Sequence, residues 1–93
     1  MTVGFVAFHY PHPEHFEEFV GRAHQVGDVL RASSGCLSVD VWATPDGDAV
    51  VTIGTFESDE AHRAALAAAR DLDAVAFDER ERKPRQVHPL VSK

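Results

Sequence analysis

Gly35-Cys36-Leu37-Ser38-Val39-Asp40-Val41-Trp42 alternates in steps of two, breaks at Thr44-Pro45-Asp46-Gly47-Asp48, and resumes as Ala49-Val50-Val51-Thr52-Ile53-Gly54-Thr55-Phe56. It then meets Ser58-Asp59-Glu60, a helix N-cap with acidic residues in the first turn behind it. This order predicts strand, turn, strand and capped helix, with Pro45-Asp46-Gly47 supplying the turn chemistry.

Working outward, residues 2–10 predict another strand. Val3, Phe5, Ala7 and His9 point to one side of it; Gly4, Val6, Phe8 and Tyr10 point to the other. Pro11 and Pro13 stop it, and Pro13 suits the first turn of a helix. Across 13–32 the apolar residues Phe16, Phe19, Val20, Ala23, Val26 and Leu30 recur at steps of three and four, one stripe of an amphipathic helix. Glu14, Glu17 and Glu18 sit at its positive end and Arg31 at its negative end. Gly35 is the left-handed residue that ends it.

Beyond Ser58 the helix is alanine-rich, with Ala61, Ala64, Ala65, Ala68 and Leu72 expected on one face. Residues 74–83 predict a short helix or a bent continuation. Arg80, Arg82, Lys83 and Arg85, interleaved with Glu79 and Glu81, read as its solvated end. Gln86-Val87-His88-Pro89-Leu90-Val91 is the last strand, which Pro89 confines to a sheet edge.

The order is β-α-β-β-α-β. Two split β-α-β units with right-handed crossovers give an α+β, ferredoxin-like fold: a four-stranded antiparallel sheet with both helices on one face. A sheet wet on its other face should alternate apolar with polar. Here Phe5 is opposed by Val6 and Phe8, and Val51 and Ile53 by Val50 and Phe56. The expectation is a two-fold homodimer with sheets face to face.

Ninety-three residues predict one domain, covering 1–93, small enough to gain stability from self-association. The net charge of −6 argues against a nucleic-acid backbone binder. Cys36 is the lone cysteine, so no intrachain disulfide forms and a reducing compartment is expected. No run of 18 apolar residues and no signal-like segment appears, so no membrane contact and a cytoplasmic location are expected.

At Gly35-Cys36-Leu37-Ser38-Val39, Gly54-Thr55-Phe56-Glu57-Ser58 and Glu60-Ala61-His62 the chain resembles the antibiotic biosynthesis monooxygenase family over nearly its whole length. The resemblance implies a dimeric α/β barrel. It also brings a range of activities: cofactor-independent oxygenases of polyketide phenols, haem-degrading enzymes, quinol oxygenases and an isomerase. Where such proteins carry Glu-x-Trp before the second helix, this chain has Gly54-Thr55-Phe56. A histidine common inside that helix falls at Ala65. The Asn, Trp and Tyr of the polyketide oxygenases fall at Thr52, Phe56 and His62. The haem-degrading set is not reproduced.

His9, His12 and His15 stand three apart, but the intervening prolines keep them off one helix and no acidic ligand stands at a known spacing, so no metal site is expected. His9 lies on the interior row of its strand. His62 is either a proton acceptor at a helix–sheet pocket or a flanking histidine facing water. Trp42 is either packing or the wall of a pocket for a planar ligand. Asp40 shares its row and is either at the rim or paired with an Arg of a partner chain. Cys36 has no local base to activate it and reads as structural. His24 and His88 have weaker cases.

The expected function is a cofactor-independent monooxygenase of a small phenol or quinol. His62 or His9 serves as base, Thr52 contacts substrate, and Trp42, Phe8 and Phe56 exclude water, with neither metal nor flavin required. The alternatives are a non-catalytic dimeric protein that binds a small hydrophobic or aromatic ligand, and an isomerase of the same fold.

Overall fold

β1 (Val3–His9) organises the sheet, pairing antiparallel with β3 (Val50–Phe56) on one side and β4 (Gln86–Val91) on the other. β2 (Cys36–Ala43) pairs antiparallel with β3, so the order is β2-β3-β1-β4. α1 (Phe16–Arg31) connects β1 to β2, and α2 (Asp59–Asp73) follows β3. The computed structural model describes residues 2–73 and 80–93, with α2 side chains described as far as residue 69. This is the ferredoxin-like α+β arrangement. The sheet is open, with β2 and β4 at its edges, and does not close into the barrel that the family resemblance implies.

The parity of β1 decides which residues meet the helices. Phe5 and Ala7 join Leu30 of α1, Ala65 and Ala69 of α2, and Val39 and Phe56 of the central hairpin in one core. Phe56 is 0% exposed. Gly54 lies opposite Phe5, and a Cβ there would stand 2.7 Å from Phe5 Cε1, so only glycine lets this ring lie across β3. Gly35 has φ +85° and carries the chain from α1 into β2.

The other face holds a second cluster: Tyr10, Ala49 and Val51, with Val6, Phe8 and Ile53 packed against them. Among the described residues no helix residue belongs to it. Trp42 stands on this face opposite Val51 and is 62% exposed, so it is neither core nor wall of the helix side. Asp40 is exposed in the same row.

Several local expectations are corrected. Pro13–His15 is a 3-10 turn and α1 begins only at Phe16. Leu37 makes a bulge in β2, where Cys36 pairs with Phe56 but Ser38 with Thr55. The buried face of α2 is Ala65 and Ala69 with Ala61 packed against the same core, while Ala64 and Ala68 are exposed. Most of the expected 74–83 helix lies outside the described residues. Its end is no solvated helix: Glu81 pairs with Pro11 in an isolated bridge and its side chain is 2% exposed.

Segment 80–86 is tied to the end of β1. Arg82 N–H donates to Tyr10 O at 2.7 Å, and His12 N–H donates to Arg80 O at 2.8 Å. Arg82 also reaches Asp48 Oδ1 at 2.6 Å, and the Lys83 ammonium sits 4.2 Å over the Tyr10 ring.

Candidate functional site

Between sheet and helices lies a cavity of about 330 Å³, at the small end of the range for small-molecule sites. β1 contributes Phe5, Ala7 and His9; β3 contributes Val50 and Thr52. The helices and β4 add further apolar walls, and Arg22 and Arg85 are the cations among the lining residues.

His62 is placed by the start of α2. Ser58 Oγ accepts the Ala61 N–H at 3.1 Å and Ser58 O accepts the His62 N–H at 3.1 Å, which fixes the first turn. The imidazole then stacks on Phe56 at 4.8 Å between centroids and on Phe5 at 5.5 Å, interplanar angles 20° and 4°. Its Nε2 is buried and makes no hydrogen bond among the described residues. Burial pushes its pKa below 6.5, and the nearby Asp59 carboxylate only partly offsets this. Burial in the cavity wall therefore favours the neutral form of the ring.

His9 approaches from β1. Its Nδ1 lies 3.5 Å from Glu81 Oε1, and its ring is 6.3 Å from that of Phe19. Glu81 Oε1 also accepts the Tyr10 N–H at 3.2 Å, and Glu81 Oε2 stands 3.9 Å from Arg85 NH2. A buried carboxylate is thus held among a backbone N–H, a guanidinium and an imidazole, the company a buried charge needs.

The structure brings together His9, His62 and Thr52 in the cavity wall, with Phe56 directly behind His62. It does not bring Phe8 or Trp42 there. Both point to the helix-free face, because Phe8 has the opposite strand parity to His9 and Trp42 pairs with Val51 in Phe8's row. Glu81, Arg22 and Arg85 were not singled out as site residues from the sequence. Glu81 and Arg85 sit in a charge-alternating run that resembles a solvated helix, and Arg22 flanks an apolar stripe. No local signal marks them.

The three-apart histidines are not gathered. His9 turns to Glu81, whereas His15 lies 3.8 Å from Glu18. Among the described residues no group of three or more His, Cys, Asp or Glu could hold a metal ion. Burial raises the Cys36 thiol pKa, and Sγ donates to Ser38 O at 3.8 Å. No described helix is long and apolar enough to cross a membrane.

The model of the antibiotic biosynthesis monooxygenase family matches residues 2–76. The chain belongs to this family. Rv0793 of Mycobacterium tuberculosis superimposes with a TM-score of 0.88 at 22% identity, covering 100% of this chain and 96% of that one. A crystal structure described as an antibiotic biosynthesis monooxygenase gives 0.83 at 15% identity, covering 98% of each chain. SnoaB of Streptomyces nogalater, a cofactor-independent oxygenase, gives 0.78 at 20% identity, covering 99% and 93%. These likenesses show a shared fold. No curated protein matches the sequence.

Proposed function

We propose that this protein is a cofactor-independent monooxygenase of small aromatic phenols or quinols, working as a homodimer joined through its helix-free sheet faces. The observation that carries the reading is an apolar cavity of about 330 Å³ with two imidazoles, His9 and His62, in its wall. Family membership and the likeness to a cofactor-independent oxygenase support it.

The protein's part is deprotonation in a dry, shaped site. A substrate hydroxyl gives its proton to an imidazole, and the electron pair left on oxygen makes an oxidisable anion. Dioxygen then converts a ring CH₂ of the keto tautomer to C=O. One oxygen atom stays as the carbonyl and the other leaves as water with both hydrogens. All four electrons come from that carbon, so no outside reductant enters.

The dimer is supported by Val6, Phe8, Val51 and Ile53 on the face that no helix covers, with Trp42 62% exposed beside them. Oxygen uptake with a panel of naphthols and quinols, corrected for autoxidation without protein, tests the activity. We expect protein-dependent uptake of one dioxygen per substrate. Binding without uptake identifies a ligand-binding protein instead, and turnover that persists anaerobically identifies an isomerase.

A further inference from the structure

We propose that Glu81 is a positioning residue that makes His9, not His62, the proton acceptor of the cavity. This deepens the oxygenase reading and rests on it for the identity of the proton donor.

His9 Nδ1 is a buried atom and lies 3.5 Å from Glu81 Oε1, at ion-pair rather than hydrogen-bond distance. A carboxylate at that nitrogen favours the tautomer with the proton on Nδ1, which makes Nε2 the basic atom. Nε2 is on the opposite edge of the ring from the Cβ that anchors it to β1, and His9 itself lines the cavity. The side chain is 15% exposed, so the ring is held in the wall but reachable from the cavity.

Glu81 is built for this task by its own contacts. Its side chain is 2% exposed, the Tyr10 N–H reaches Oε1 at 3.2 Å, and the Arg85 guanidinium stands 3.9 Å from Oε2. A carboxylate so held keeps its position and its charge. When the substrate hydroxyl proton moves to His9 Nε2, the imidazolium that forms faces a fixed negative charge. The base is thereby stronger than an imidazole alone.

His62 has the opposite surroundings. It stacks against Phe5 and Phe56, its Nε2 is buried and makes no hydrogen bond among the described residues, and the Asp59 carboxylate only partly offsets the burial. An imidazolium at that site is disfavoured by burial. His62 shapes the cavity, and His9 does the proton chemistry. Among the described residues, the groups around His9 include Glu81, with Arg85 behind it, Phe19 of α1, and Arg22 and His62, which line the same cavity.

The test is nitrogen-detected NMR of the ¹⁵N-histidine-labelled full chain without substrate, which separates it from the oxygen-uptake assay. In the wild type His9 should show the Nδ1–H tautomer. A His9 in the Nε2–H form overturns the proposal, with no variant needed. In Glu81→Gln the His9 titration midpoint should fall by about one pH unit, since a nearby carboxylate moves a pKa by roughly 1–3. Glu81→Asp should restore part of it. Midpoints of His15 and His24 serve as controls that a merely structural effect would leave alone. An unchanged His9 midpoint in a folded Glu81→Gln overturns the proposal. If uptake occurs, the acid limb of kcat/KM should shift with the same midpoint, and His9→Gln should cost at least tenfold in kcat. If uptake is absent but the tautomer and midpoint behave as stated, the oxygenase reading fails and the Glu81–His9 pairing stands.

Discussion

Replacing Phe56 with alanine removes the largest fully buried side chain of the helix-side core. The ring stacks on Phe5 at 6.5 Å and on His62 at 4.8 Å between centroids, so the deletion leaves a cavity bounded by two aromatic rings. A buried Phe→Ala change costs about 3–5 kcal/mol. A 93-residue domain has roughly 5–14 kcal/mol in all, so between about a fifth and all of the stability is lost. At about 4–8 °C per kcal/mol the midpoint falls by at least roughly 12 °C. Urea titration should show a lower midpoint at an unchanged m-value. A second readout ties the core to the site. His62 owes its lowered pKa chiefly to burial, so its NMR titration should move up toward 6.5 in the variant. A loss under about 1 kcal/mol, or a His62 midpoint that does not rise, refutes the stacking argument.

The His62 pKa has a stability consequence of its own. The folded value lies below the unfolded 6.5, so its contribution is whole above that pH and is lost as pH falls through the folded value. His62→Phe should flatten that part of a stability–pH curve measured by denaturant titration. Gly54→Ala should push the Phe5 ring off β3, because the added Cβ meets Cε1 at 2.7 Å; a loss of about 1–3 kcal/mol and altered ligand affinity are expected, measured by melting and by fluorescence titration. Ser58→Ala should cost about 1 kcal/mol through the lost cap at Ala61 and broaden the His62 resonances, read by NMR and thermal melting. Trp42→Asp, at the 62% exposed position on the helix-free face, should leave a monomer by sedimentation, while the wild type sediments as a dimer.

Strand parity explains most of what the sequence makes legible and one thing it misplaces. Two-residue alternation in β1 and the central hairpin puts Phe5, Ala7, His9, Thr52 and Phe56 on one face, and the observed register does the same. The same alternation sends Phe8 and Trp42 to the other face, away from His62, which hydrophobicity alone does not reveal. In α2 an alanine run carries no contrast between its faces, so the sequence pattern points Ala64 and Ala68 inward although both are exposed. Glu81 is illegible for a different reason. Its burial follows from a bridge to Pro11 seventy residues earlier, a non-local pairing that no window around Arg80–Arg85 contains. The homodimer expectation began with apolar residues on both sheet faces, and the second cluster around Tyr10 and Val51 is their structural counterpart.

The cavity itself is the claim on which the functional account depends. Chemical-shift mapping of a soluble naphthol on labelled protein tests it directly. Saturable shifts at His9, Thr52 and His62, with Ala7 and Ala69 methyls moving alongside them, are the result expected. Shifts confined to Trp42, Phe8 and Val51, or none at saturating ligand, would mean that the space between helices and sheet is not where an aromatic substrate goes.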